Sequence, residues 1–330
     1  MKNRLMWGLA AMLAIGLVLV GCKGKSGDSQ KKDPVTTDAQ KSQEAPQAAA
    51  PSVPDVDYVT AGTQLAIDRG VAFLKKTQRE DGGWAMKPGD SKSDLGATAV
   101  VSYAMLNAGV PAADPAIAKA VDYIVSFAKE DGGIYANTGF NNYTTSISIM
   151  VLKAAGNDKN QAVIDKALAF LKNLQWDEGE GLQPESADFG GAGYGAHKRP
   201  DLSNTAWFVE AMNKMGVQKD DPALKNAVIF VSRLQAGEGA KGYWVSDGSG
   251  GFIYAMREGG DKPPTGESKA GTITLPSGGK GLKCYGSMTY AGLKSMIYAG
   301  VSKDDPRVKA AYDWIRRHYT LKENPGMGNS

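Results

Sequence analysis

Two apolar patterns alternate along residues 61–330. In the first, a small residue is followed three and four positions later by an aromatic and an aliphatic. This gives Gly70…Phe73-Leu74, Ala120…Tyr123-Ile124, Ala167…Phe170-Leu171, Ala227…Phe230-Val231 and Ala311…Trp314-Ile315. Lys, Arg, Asp or Asn flank each group at helical spacing, so each predicts an amphipathic helix with one buried face. Asp114-Pro115, Asp221-Pro222 and Asp305-Pro306 precede three of these helices, an N-cap followed by proline in the first turn. In the second pattern, Gly109, Gly156, Gly216 and Gly300 each have a Thr eleven residues earlier, namely Thr98, Thr145, Thr205 and Thr289. Four residues before each glycine stands Met105, Leu152, Met212 or Met296. These segments carry almost no charge in their first turns, and glycine is a good helix stop. A helix that is apolar all round must be buried all round. Covered helices alternating with helices solvated on one face describe an inner ring inside an outer ring. The fold class predicted is therefore all-α, an α/α toroid with a repeat of about 50 residues.

Arg69-Gly70-x-x-Phe73-Leu74-x-x-x-Gln78-x-x-x-Gly82-Gly83-Trp84 resembles the QW motif of squalene and terpenoid cyclases. The pattern recurs in degraded form at Asp131-Gly132-Gly133-Ile134-Tyr135, Gln175-Trp176 and Gly242-Tyr243-Trp244, and Gln235 repeats the spacing of Gln78 and Gln175. Protein prenyltransferase β-subunits share the ring and have loops like Gly250-Gly251-Phe252. The resemblance runs from about Ala61 to the end. It implies that the Gln residues cap helix ends and that Trp84 stacks on a neighbouring repeat, structural roles rather than catalytic ones. Five outer and four inner helices are counted, and the last outer helix leads only into the Gly-rich segment ending at Ser330. Two readings stay open: a chain that stops before one more inner helix, or an open ring with an unpaired apolar flank. The first is preferred.

The amino terminus changes the setting. Lys2 and Arg4 precede the uncharged run Leu5–Val20, which is short for a membrane span. It ends in Leu19-Val20-Gly21-Cys22, which resembles a bacterial lipobox. That resemblance implies a signal peptide over 1–21, lipidation of Cys22, and a location in the cell envelope facing the periplasm or exterior. Residues 22–60 are rich in Ser, Gln, Ala, Pro, Asp and Lys without periodicity, and are expected to be a disordered tether. The domain proper is placed at 61–330.

Composition excludes more than it assigns. With 38 Lys+Arg against 35 Asp+Glu the balance is +3, too small for a nucleic-acid binder. Two His and two Cys argue against a His-rich metal centre or a disulfide scaffold, and no cofactor is expected. The chemistry, if any, is placed in the long segments 176–202 and 236–285, both at the amino-terminal ends of inner helices. These hold Tyr194, His197, Asp201, Tyr243, Trp244, Phe252, Tyr254, Cys284 and Tyr285, aromatic walls suited to an apolar ligand. No Asp-x-Asp-Asp run like the acid of class II cyclases is present. Lys283 and Leu282 stand where a prenyltransferase-like zinc site calls for an Asp beside Cys284, and no metal is assigned. Cys284-Tyr285-Gly286-Ser287 also lacks the Cys-Gly-Glu-Gln of thioester domains. Glu185, Asp188, His197 and Asp201 share one loop and give an alternative, a polysaccharide lyase or glycosidase on the same ring type. The expectation is a lipid-anchored binding or scaffold protein for an apolar molecule or protein partner. A divergent prenyltransferase or terpenoid cyclase is the main alternative.

Overall fold

The computed structural model describes residues 56–136, 139–195, 198–259 and 262–328. The expected signal peptide, Cys22, nearly all of the tether, and His197 lie outside them. Nine α-helices occur among the described residues: α1 (Val56–Thr77), α2 (Leu95–Asn107), α3 (Pro115–Val125), α4 (Asn141–Ala155), α5 (Gln161–Lys172), α6 (Leu202–Lys214), α7 (Pro222–Arg233), α8 (Gly286–Tyr298) and α9 (Pro306–His318). The even-numbered helices pack side by side in the order α2, α4, α6, α8, and α3, α5, α7 and α9 lie outside them. This is the alternation of an α/α toroid. Helix α1 begins at Val56, ahead of the boundary at 60 placed by composition, and no described helix is long and apolar enough to cross a membrane.

Each recurring residue has one structural task. Asp114, Asp221 and Asp305 accept hydrogen bonds from the N–H groups of Ala116, Ala223 and Arg307 at 3.0, 3.0 and 2.9 Å, so the predicted caps hold the starts of α3, α7 and α9. The four Thr hydroxyls tie each inner helix to the loop before it. Thr98, Thr145, Thr205 and Thr289 accept the N–H of Trp84, Ile134, Ala192 and Phe252 at 2.9–3.1 Å. Three of them also donate to the carbonyl four residues back, which satisfies both sides of a hydroxyl buried among apolar groups.

The glutamines link repeats. Gln78 Nε2 donates to the carbonyls of Gly82 and Ala116, Gln175 to Gly190 and Ala223, and Gln235 to Gly250 and Arg307. Each therefore joins its own loop to the first turn of the next outer helix. The glycine pairs 82–83, 132–133, 190–191 and 250–251 make that loop a tight corner. The first glycine of each pair has φ between +84° and +93° and lies against a backbone carbonyl of the next outer helix.

Segment 236–285 is not a plain loop. Strand β1 (Ala255–Gly259) pairs antiparallel with β2 (Lys262–Glu267), Ala255 opposite Glu267. Strand β3 (Thr272–Thr274) pairs with β4 (Lys280–Leu282), Thr272 opposite Leu282. The β-branched run Thr272-Ile273-Thr274 favours a strand, and Gly278 at φ +82° closes the turn, with Leu275 N–H donating to Gly279 O at 2.8 Å. Helical periodicity carries no signal for such short strands.

Candidate functional site

The two long segments converge on the amino-terminal ends of the inner helices, and Asp201 is the centre of what they build. It is the N-cap of α6: Oδ1 accepts from Asn204 N at 2.8 Å and Oδ2 from Asn204 Nδ2 at 2.7 Å. Around it stand Tyr143 from α4, Tyr254 from the hairpin segment and Tyr285, the residue that starts α8. Tyr143 Oη lies 2.5 Å from Ser203 Oγ, and the hydroxyls of Tyr194 and Tyr254 are 3.4 Å apart. The rings of Phe140, Tyr143 and Tyr194 contact one another, and Tyr143 also meets Trp207, with centroids 5.5–6.5 Å apart. Of the nine residues expected to line a pocket, Tyr194, Asp201, Tyr254 and Tyr285 are brought together here. Tyr143 and Ser203 complete the cluster. Their signal in the sequence is position alone: both lie in the first turn of an inner helix.

Burial sets the electrostatics of this mouth. It pushes the Asp201 carboxyl above the usual carboxylate range, opposed by the two Asn204 hydrogen bonds, a hydrogen bond from Tyr254 and the Arg199 charge. Burial, and then the charge of Asp201, pushes the hydroxyls of Tyr143, Tyr254 and Tyr285 up as well. Arg199 donates to Met256 O at 2.9 Å and pairs with Glu267, which fastens the β1–β2 hairpin over the mouth. Lys269 pairs with the same Glu267 and sits 4.6 Å from the Tyr254 ring centroid.

A raised carboxyl gives a pH dependence of definite sign. Because folding favours the protonated form, the contribution of Asp201 is fully present below its unfolded value of 3.8 and is lost as pH rises through its folded value. Asp201→Asn keeps an N-capping oxygen without the charge. Its stability relative to the wild type should therefore improve as pH rises above about 4 and level off once the folded carboxyl has ionised, as urea titrations at several pH values would measure. A flat or falling difference would contradict the burial of this carboxylate.

The other expected residues have structural positions. Phe252 is fully buried, its N–H held by Thr289. Trp244 is buried, with Nε1 donating to Arg233 O at 2.8 Å, much as Trp84 Nε1 donates to Leu74 O at 2.8 Å. Tyr243 donates to Glu185 O at 3.1 Å and lies under the Arg233 guanidinium. Tyr243 and Trp244 also line an open depression of about 460 Å³ between the hairpins, away from Asp201. Cys284 packs beneath the Gly250-Gly251 corner, where Ser93 and Pro200 serve the corners at Gly83 and Gly191. Burial, helped by the charge of Asp247, pushes its thiol up to about 12, so it is not a ready thiolate. Among the described residues no group of three His, Cys, Asp or Glu could hold a metal ion. Glu185 is exposed while Asp188 and Asp201 are buried, so these three do not form one acid–base face.

The interior of the ring is occupied. Helix α2 packs mainly against α4 among the inner helices, yet its Tyr103 feels the charges of Glu210 on α6 and Tyr298 on α8. These charge interactions span the ring. Lys294 on α8 bonds Glu210 at 2.6 Å and stands over the rings of Trp207 and Tyr298, 5.4 and 5.9 Å from their centroids. Tyr103, Trp207, Glu210 and Tyr298 are all buried. Burial and then the Glu210 charge push the Tyr298 hydroxyl up to about 12.

Comparison with known proteins places the fold. The squalene–hopene cyclase C-terminal domain family matches residues 89–256. A squalene–hopene cyclase of Zymomonas mobilis is 28% identical over 160 residues, 46% of this chain and 23% of that protein. A probable squalene–hopene cyclase of Sinorhizobium fredii is 31% identical over 131 residues, 34% of this chain and 20% of that protein. The matches thus span under a quarter of these curated relatives. Among solved structures, the type II terpene cyclase MstE from Scytonema is similar at 15% identity, covering 79% of this chain and 64% of that one with a TM-score of 0.49. The family match runs from the loop before α2 into β1, just over half of the residues, and the chain belongs to the squalene–hopene cyclase C-terminal domain family.

Proposed function

We propose that this protein is a lipid-anchored, exported binding or scaffold module that uses the cyclase ring without cyclase chemistry, its partner an apolar molecule or another protein. One observation carries the reading: Tyr103, Trp207, Glu210, Lys294 and Tyr298 fill the space between the inner helices, where a long isoprenoid chain would need room. The polar groups at the mouth support it. Asp201 caps α6 with Oδ1 and accepts the Asn204 side-chain amide with Oδ2, and the Cys284 thiol is buried under a loop. The anchoring part rests on the lipobox-like Leu19-Val20-Gly21-Cys22 and the polar stretch after it.

A second reading, a divergent isoprenoid-processing enzyme, is favoured by the family and by one feature. The Asp201 carboxyl is held above its ordinary range among three tyrosines, a setting in which a carboxylic acid can donate a proton. Full-length protein extracted in detergent separates the two. Squalene and isoprenoid diphosphates should be recovered unchanged after incubation, and elemental analysis should find no zinc. A cyclised or prenylated product would overturn the binding role. Labelled palmitate should be incorporated at Cys22 and lost in Cys22→Ala; equal labelling of both would overturn the anchor.

A further inference from the structure

We infer that the mouth of the ring is a shallow well closed from below, and that it takes a small amphiphile: an apolar tail of at most about eight carbons under an uncharged, hydrogen-bonding head. This rests on the small-molecule form of the binding role and fixes the size of the ligand. The recurring Thr gives the four inner helices one register. Two residues before it stand Gly96, Tyr143, Ser203 and Ser287, and two after it Val100, Ile147, Trp207 and Ala291. Five after it stand Tyr103, Met150, Glu210 and Lys294. Spacings of four and then three keep these positions on one face of each helix. The contacts of Tyr143 with Ser203 and Trp207, and of Lys294 with Glu210 and Trp207, turn that face to the ring interior.

Exposure falls with depth along this face. The four residues of the upper level are all half-buried, whereas Tyr103, Met150 and Glu210 are 7%, 1% and 6% exposed. The fall is present on α4 and α6, from Tyr143 to Met150 and from Ser203 to Glu210, and each of these helices has an inner neighbour on both sides. The ends of the ring therefore do not set it. Glu210 and Lys294, bonded at 2.6 Å, form the floor with Tyr103 and Met150. Upper level and floor are seven residues apart, about 10 Å of helix, which takes roughly eight carbons of an extended alkyl chain. The level between them, Val100, Ile147, Trp207 and Ala291, is apolar and suits a tail. The rim carries hydroxyls, with Tyr143 Oη 2.5 Å from Ser203 Oγ and the Tyr194 and Tyr254 hydroxyls beside it. The Asp201 carboxyl among them disfavours an anionic head, and Arg199 and Lys269 are both taken by Glu267.

The test titrates the full chain, as Cys22→Ser and free of detergent, with 1-alkanols from butanol to dodecanol in a calorimeter at pH 7. Affinity should rise about fourfold per carbon, the yield of one buried methylene, up to about eight carbons and stay level beyond. A rise that continues through dodecanol would overturn the inference, because the tail would then pass the floor, while the binding role would stand. No binding at any length would overturn both the well and the small-molecule form of that role. Octanoate should bind at least tenfold more weakly than octanol; equal affinity would overturn the uncharged head. Ser203→Phe fills the rim and should weaken octanol binding at least tenfold with the helical spectrum kept. Unchanged affinity would place the ligand elsewhere and overturn the inference. Met150→Ala lowers the floor and should move the plateau by about two carbons; an unmoved plateau in the folded variant would overturn it as well.

Discussion

Gly190→Ala is expected to destabilise the fold by about 2–5 kcal/mol, adding the left-handed penalty of about 1–2 to overpacking of about 1–3. Gly190 has φ +84°, and an ideal Cβ there lies 1.9 Å from Asn226 O and 2.4 Å from Asn226 C. Those are backbone atoms of α7, so no side-chain rotation relieves the clash. Gln175 must keep its hold on the same corner through Gly190 O and Ala223 O, which pins the loop to the helix it collides with. Gly109→Ala is the control: φ is +90° there, but a Cβ meets nothing within 4 Å. It should cost only the conformational part, about 1–2 kcal/mol. Thermal melts should show a fall of about 4–20 °C for Gly190→Ala and a clearly smaller one for Gly109→Ala. Equal falls would mean that the corner does not press on the next outer helix, and the repeat contact described for all four glycine pairs would be wrong.

The repeat was legible because its residues answer to local rules. The Thr eleven before a terminal Gly marks the first turn of an inner helix. There its hydroxyl must meet a loop N–H, a need that a single spacing records. Asp-Pro at outer-helix starts and Gln four past the aliphatic are equally local. The candidate site was legible only in part. Asp201 and Tyr285 could be placed because each immediately precedes or begins an inner helix, and Tyr194 and Tyr254 because they lie in the loops leading there. Tyr143 belongs to another repeat and reaches Ser203 across 60 residues of sequence, so spacing along one loop could not reveal it. Trp244 and Cys284 drew attention by residue type. Their positions are those of a buried indole bonded to a helix-end carbonyl and a small residue under a corner. The hairpins escaped because three-residue strands leave no period to read.

The filled ring can be tested directly, and the effect should be large. Glu210 and Lys294 meet at 2.6 Å with side chains 8% and 26% exposed, between aromatic rings from three inner helices. Removing one partner of a buried pair leaves an uncompensated charge, and with Lys294 partly solvated Lys294→Met should cost about 2–4 kcal/mol. Neither the Tyr103 nor the Tyr298 hydroxyl can replace an ammonium, because a phenol carries no positive charge to set against the carboxylate. Glu210→Leu combined with Lys294→Met removes both charges and keeps the volume apolar. The double variant should recover to within about 1 kcal/mol of the wild type, so the cycle should be strongly non-additive. Urea titrations of the four proteins at pH 7 measure this. If Lys294→Met costs less than about 1 kcal/mol, the pair behaves as a solvated surface pair. Water would then reach the ring interior, a ligand could follow it, and the observation beneath the binding role would fall. If the cost is as large as expected, the pair is shielded from water and the region between the inner helices is held by the protein's own side chains.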